Sequence, residues 1–282
     1  MQSKRHLKWL AIPTAFLLAI TLSGCTTQEF GRGFLPGTSG ITNHTDEITA
    51  LWTSSWIILW LVGLIAWGLM GYAMVVYRRR KGETGLPVQL RYNMPIETLF
   101  TVVPLILVVG FFAFTTKVMM PIETPVKSDM KIEAIGKQWS WDFNYLNNNV
   151  YETGIQFDPT EQTLNDLPTL YLPVNKSVEV DLTSRDVIHS FWVIDFLYKK
   201  DVFPGRTNKI FFTPQKIGTY EGKCAELCGE YHSMMLFRVK VVSQADFDTH
   251  VAELAAKGQT GSLGIDLNRN QNLPGDNPSI RG

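Results

Sequence analysis

Cysteine is scarce in this chain: there are 3 in 282 residues, Cys25, Cys224 and Cys228. A scaffold stapled by many disulfides is therefore excluded. The pattern Cys-x-x-Cys-His is absent, which excludes a fused c-type haem domain. No overall excess of either charge exists, since 26 Lys+Arg stand against 26 Asp+Glu. That balance hides a split: residues 120–282 carry 16 basic and 21 acidic side chains, a net of −5. A mildly acidic domain argues against nucleic acid as a partner and suits a basic protein. Acid is missing from residues 1–24, and charge of any kind from Ile48 to Tyr77 and from Thr98 to Thr116.

Those gaps organise the chain. Residues 1–24 combine Lys4, Arg5 and Lys8 with an apolar run from Trp9 to Leu22, and read as a signal peptide. The run ends in Leu22-Ser23-Gly24-Cys25, which resembles a bacterial lipobox with Cys25 as the lipidated residue. The bland alternative is a buried or interfacial cysteine behind a retained anchor. A Gly-rich linker follows, so residues 25–47 are expected outside the membrane. The two charge-free runs then form a transmembrane helical hairpin over 48–119, each long enough for a hydrocarbon core of about 30 Å. Pro104 is expected to kink the second helix. Arg78, Arg79, Arg80 and Lys81 between the runs mark the cytoplasmic side. The N-terminus and everything after Lys117 therefore face outward. The chain is expected in the cell membrane, multi-pass, with its main domain extracytoplasmic.

From Met130 to Val242 short apolar runs alternate with Pro, Gly, Asn and Asp. Strands are expected at Lys131–Ile135, Leu170–Val174, Val178–Thr183, Lys209–Phe212 and Met235–Val242. That pattern predicts an all-β sandwich or small barrel of antiparallel strands over 120–256. A helix is expected at Ala245–Ala256, and 257–282 reads as a flexible tail rich in Gly, Asn and Pro.

The two remaining cysteines sit in Lys223-Cys-Ala-Glu-Leu-Cys-Gly-Glu-Tyr-His-Ser-Met-Met. Cys224, Cys228, His232 and Met235 thus lie within twelve residues, and His189 stands upstream in Arg-Asp-Val-Ile-His-Ser. Thiolate, imidazole and thioether are soft donors that suit copper. If the segment is extended, Met234 and Met235 point to opposite faces, so only one reaches a metal. A disulfide leaves both histidines and the methionine unexplained. A structural zinc site would use Cys2His2 without Met. A mononuclear blue-copper site needs a single thiolate. The second thiolate favours two copper ions sharing two sulfurs.

The pattern Cys-x-Glu-x-Cys-Gly-x-x-His-x-x-Met with an upstream Asp-Val-x-His-Ser resembles subunit II of haem–copper cytochrome c oxidases, over roughly residues 45–255. The resemblance implies two transmembrane helices plus a cupredoxin-like Greek-key sandwich. It implies a dinuclear copper centre, CuA, held by His189, Cys224, the carbonyl of Glu226, Cys228, His232 and Met235. Electrons would arrive from cytochrome c and pass to the haem of subunit I, where oxygen is reduced to water. Trp139, in Gln138-Trp139-Ser140-Trp141, would be the entry point. The competing reading makes Trp139 and Trp141 core residues of one strand face. The side chain of Glu226 would reach a magnesium ion shared with subunit I. Glu97 would lie near a proton path, although an acid in a first helical turn is favourable for dipole reasons alone. Asn144-Tyr145-Leu146-Asn147-Asn148-Asn149 stands where acids for docking a basic donor are often found, leaving Asp142 and Asp186 as candidates. A membrane-anchored copper chaperone is the alternative function. It too carries Cys-x-x-x-Cys, but on a thioredoxin-like fold with its His downstream. A quinol-oxidase subunit II shares the architecture and lacks the copper ligands.

Overall fold

The structure is a computed structural model that describes residues 13–18, 26–86 and 89–264. Cys25, most of the expected signal peptide and residues 265–282 lie outside the described residues. After a short helical turn at Thr27–Gly31, two long helices follow: α1 over Thr45–Val76 and α2 over Met94–Glu123. Neither has a polar stripe. Leu61, Ile65, Trp67, Val108 and Phe112 all project outward, and the most apolar stretch of each helix buries nothing. Water would not tolerate that surface, whereas a bilayer needs about 20 such residues per helix. At 32 and 30 residues the helices are long enough to tilt or to emerge from the membrane. Helix α1 stops at Tyr77, next to the basic cluster. The Asn93 side chain caps α2 by accepting from the Ile96 N–H, and Pro95 fits the first turn, where no donor is lost. The helix runs on through Pro104 and past Thr116, where the uncharged run ends, to Glu123.

Ten strands follow: β1 Met130–Lys137, β2 Ser140–Tyr145, β3 Val150–Thr153, β4 Thr169–Pro173, β5 Val178–Ser184, β6 His189–Val193, β7 Tyr198–Val202, β8 Asn208–Phe212, β9 Gly218–Cys224 and β10 Leu236–Val242. They form two five-stranded sheets, ordered β3-β2-β1-β5-β8 and β4-β10-β9-β6-β7. Each sheet contains one parallel pair, β1 with β5 and β4 with β10, so the sandwich is mixed rather than wholly antiparallel. The core comes from inward residues of both sheets: Ile132, Phe143, Val180 and Leu182 on one side, Leu170, Phe191, Phe237 and Val239 on the other. Strand β10 alternates strictly, which is why its sequence reads as a half-buried strand. Strand β2 is buried throughout, including Asp142 and Asn144, so no alternation betrays it. Strand β9 is obscured by Gly222, where a Cβ would lie 2.3 Å from the Phe237 ring.

Helix α3, Gln244–Ala256, closes the sandwich with Phe247 and Leu254, and Ser243 caps it. The linker before α1 docks on the same domain. Ile41 is buried, its carbonyl accepts from the Gln215 N–H, and Asn43 exchanges hydrogen bonds with Thr213. At the other end of the hairpin, Glu123 meets the Tyr198 hydroxyl and the Lys200 ammonium of β7. The domain is thus held at both membrane connections.

Candidate metal centre

The site is built at one end of the second sheet. Strand β6 begins at His189, which pairs across to Val202 of β7. Strand β9 ends at Cys224, and Leu236 of β10 pairs with Lys223, so the residues just beyond that pair, Cys224 and Met235, are brought together. The Cys224 N–H donates to the Met235 carbonyl, and the Ala225 N–H donates to the Ser190 carbonyl. Between them the chain loops through Cys228 and returns by a single 3-10 turn, His232–Met234. Gly229 takes φ +124°, a conformation in which a Cβ is strained, and its Cα faces the Trp139 ring. Glycine after the second cysteine is therefore a geometric requirement.

Five side chains converge. The two sulfurs lie 3.9 Å apart. His189 Nδ1 is 3.8 Å from the Cys224 sulfur, and His232 Nδ1 is 3.4 Å from the Cys228 sulfur. Met235 Sδ is 3.8 Å from the Cys228 sulfur, and the Glu226 carbonyl oxygen is 3.2 Å from the Cys224 sulfur. His189 and Met235 are 0% exposed and both cysteines nearly so, whereas His232 is half-buried. The 3-10 turn replaces the extended segment expected around Met234. It still separates the two methionines, leaving Met234 half-exposed and Met235 inside.

The electrostatics suit a cation. The hydrogen bond from Cys228 draws the Cys224 thiol down to about 3 against the opposing effect of burial, and His189 contributes. The same contact, with burial, pushes the Cys228 thiol up. A bound cation reverses that second shift, because a coordinated thiol loses its proton. Burial disfavours charge on His189, but hydrogen bonds to Asp186 and Cys224 outweigh it and raise its basicity. A buried, converging set of two sulfurs, two imidazoles, a thioether and a carbonyl fits copper in its chemistry.

Asp186 is the main correction to the sequence reading. Its side chain is buried, not presented to a docking partner. One carboxylate oxygen sits 2.8 Å from His189 Nε2, and the other accepts from the Gln138 N–H at 2.7 Å. It thereby holds the imidazole with Nδ1 towards the sulfurs. Burial raises its pKa, but these donors hold the carboxyl below the usual range. Asp142 is likewise buried, between Lys137 at 2.6 Å and Arg185 at 2.9 Å. Neither acid offers charge to a docking partner.

Trp139 and Trp141 part company. Trp141 lies in the core against Phe191 and Phe237, and Trp139 occupies the two-residue turn between β1 and β2, half-exposed. Its indole N–H donates to the Cys228 carbonyl at 3.2 Å, and Gln138 Nε2 donates to the same oxygen at 2.7 Å. Tyr231 packs edge-on against the Trp139 ring at 5.0 Å. The Glu226 side chain is exposed. Glu97 belongs to a different place, about 40 Å along α2 from the domain, where its carboxylate accepts from the Asn93 N–H. Sequence reasoning missed the roles of Asp186 and the Gln138 amide. The only available signal was an acid three residues before a ligand-type histidine.

Gly136 of β1 packs directly on His189: a Cβ there would lie 2.8 Å from the ring Cδ2. Gly136→Ala should therefore move the imidazole. We expect destabilisation of about 1–3 kcal/mol, the scale of overpacking in a tight core. Thermal unfolding of the variant checks this, and an unchanged midpoint contradicts it.

The chain is similar in sequence to known proteins. Residues 130–242 match the family described as cytochrome C oxidase subunit II, periplasmic domain. A probable cytochrome c oxidase subunit 2 of Streptomyces avermitilis is 42% identical, covering 90% of this chain and 89% of the relative. Cytochrome c oxidase subunit 2 of Mycobacterium tuberculosis is 32% identical, covering 88% and 82% respectively. A crystal structure of the periplasmic domain of cytochrome oxidase subunit II from Bradyrhizobium japonicum is 34% identical, covering 48% of this chain and 99% of that one, with a TM-score of 0.44. With two apolar helices leading into an extracytoplasmic β-sandwich, the chain belongs to the cytochrome c oxidase subunit II family and serves as a subunit of that oxidase complex.

Proposed function

We propose that the chain relays electrons from cytochrome c, soluble or tethered, to the haem of subunit I, through a dinuclear copper centre of the CuA type. The observation that carries this is the convergence of Cys224, Cys228, His189, His232 and Met235 with the Glu226 carbonyl. Cys224 and Cys228 would bridge the two ions, and each histidine would cap one. Bound there, a copper pair supplies a one-electron carrier whose valence is shared. The rest is the work of the chain. Asp186 orients His189, Gly136 leaves it room, and the hydrogen-bonded loop bases keep the donors from moving when charge changes. Trp139 offers a half-exposed ring joined by one hydrogen bond to the Cys228 carbonyl, which supports its role as the entry point.

The finer assignments belong to the same proposal. Glu226, exposed beside the loop, would place its carboxylate on a magnesium ion shared with subunit I. Cys25 would carry the lipid anchor after removal of the signal peptide. Glu97 would stand near a proton entrance, although its bond to the Asn93 N–H already gives it a capping role. The oxidase would act as a translocase. A copper chaperone fits less well, because the ligands sit at the end of one sheet of a two-sheet sandwich instead of on a thioredoxin-like fold.

The purified full chain should bind two copper ions, turn purple and give a mixed-valence EPR spectrum. One copper per chain with a mononuclear spectrum would overturn the dinuclear reading.

A further inference from the structure

Beyond α3 the chain does not leave the domain at once. The Gln259 carbonyl accepts from the Tyr151 N–H, Thr260 bridges to Val150, and the Gly261 N–H donates to the Asn149 carbonyl. Residues 259–261 thus pair along the free edge of β3. The segment then reaches two side chains in the interior. Asn144, 0% exposed, donates through Nδ2 to the Leu263 carbonyl at 3.0 Å and accepts from the Leu263 N–H at 2.9 Å. Arg185, 3% exposed, donates through Nε to the Gly264 carbonyl at 3.2 Å. A solvated tail has no reason to satisfy a buried amide and a buried guanidinium from 119 and 79 residues away.

The Arg185 anchor leads to the metal centre. Arg185 pairs with Asp142, which also holds Lys137, the residue just before the Gln138–Trp139 turn. The Arg185 N–H donates to the carbonyl of Gly136, the residue packed on His189. Asp186 comes next, and its carboxylate grips both the Gln138 N–H and His189. The Gly264 carbonyl is therefore joined to a ligand histidine through Arg185 and its neighbour Asp186.

We infer that residues 259–264 are a positioning element of the metal centre, a C-terminal clasp that is tied down at Asn144 and fixes the 185–189 loop and the Gln138–Trp139 turn through Arg185. The inference rests on the copper reading for its spectroscopic consequence, but not for its structural one. Through this clasp, events at the C-terminus can alter the copper environment without touching a ligand.

Three full-length or truncated chains test it. One ends at Gly264, one ends at Gly258, and the third is full-length with Leu263→Pro, which deletes the N–H that Asn144 accepts from and constrains the backbone there. Hydrogen exchange is read at Gln138, Arg185 and Val187 in copper-free protein, and the EPR hyperfine pattern is read after copper loading. The chain ending at Gly264 should match the full-length protein in both. The chain ending at Gly258 and the Leu263→Pro variant should exchange those amides several-fold faster, up to about tenfold, the scale of one lost hydrogen bond. Their hyperfine pattern should shift while copper stoichiometry holds. A lower unfolding midpoint with unchanged exchange and spectrum would reduce the segment to a purely structural role and overturn the inference. If the truncation fails to fold, Leu263→Pro decides alone. If the full-length chain gives no dinuclear signal, the copper reading fails, and the exchange comparison still decides the clasp.

Discussion

Cys228→Ser should leave a folded chain that no longer shows a shared-valence copper spectrum. The Cys228 sulfur is the hub of the donor set: Cys224, His232 and Met235 all lie within 3.9 Å of it. Serine nearly preserves the volume of this buried side chain, so packing is little disturbed. It replaces a soft sulfur, which a bound metal would ionise, by a hard hydroxyl that copper binds poorly. Cys224 and His189 would keep one ion, while the second would lose its bridge. Electron uptake from reduced cytochrome c should fall by more than about 100-fold, because loss of groups that merely support metal ligands already costs about 10–100-fold. EPR at equal protein concentration, with copper quantified per chain, makes the comparison. A mixed-valence pattern surviving in the serine variant would show that Cys228 is not a bridge.

Much of this was legible before any coordinates. The charge-free stretches before Arg78 and before Lys117 have no reading other than membrane helices, because nothing polar interrupts them. Strands β5 and β10 announce themselves by alternation, since each has one face in the core and one towards water. The copper-type ligands were legible because four of the five crowd into twelve residues and their chemistry is rare. What stayed hidden is polar and buried. Asp142, Asn144 and Arg185 read as surface residues in a sequence, and nothing local reveals that they satisfy one another and the C-terminal segment inside the sheet. Asp186 was misread for the same reason: a carboxylate near a binding site suggests a docking charge until its partners are known. Val187 and His189 are close in sequence, but Gln138 becomes a neighbour only when β1 lies beside β5 and the 185–189 loop folds over its end. The linker and the segment after α3 were opaque because Gly-rich composition speaks of flexible backbone and not of docking.

Trp139→Ala should slow electron entry by about 100-fold while copper loading stays normal, and the reason the two separate lies in the Cys228 carbonyl. That oxygen accepts two hydrogen bonds, from the Trp139 indole at 3.2 Å and from the Gln138 amide at 2.7 Å. Removing the indole leaves the shorter bond in place, so the ligand loop keeps its anchor. What disappears is the half-exposed ring that Tyr231 braces edge-on, the largest rigid aromatic surface in contact with the loop. An aromatic at the centre of a contact commonly accounts for about 2–4 kcal/mol of association, which makes 100-fold the expected scale. Trp139→Phe divides the effect further. It retains a ring for the donor to pack against but loses the N–H, so its deficit measures the hydrogen-bonded link to Cys228 apart from docking. Stopped-flow oxidation of reduced cytochrome c by the assembled oxidase, with copper quantified in the same samples, reads both quantities. Wild-type rates in the alanine variant would move the entry point away from this turn. Loss of copper in either variant would make Trp139 a support of the metal loop instead of the place where electrons arrive.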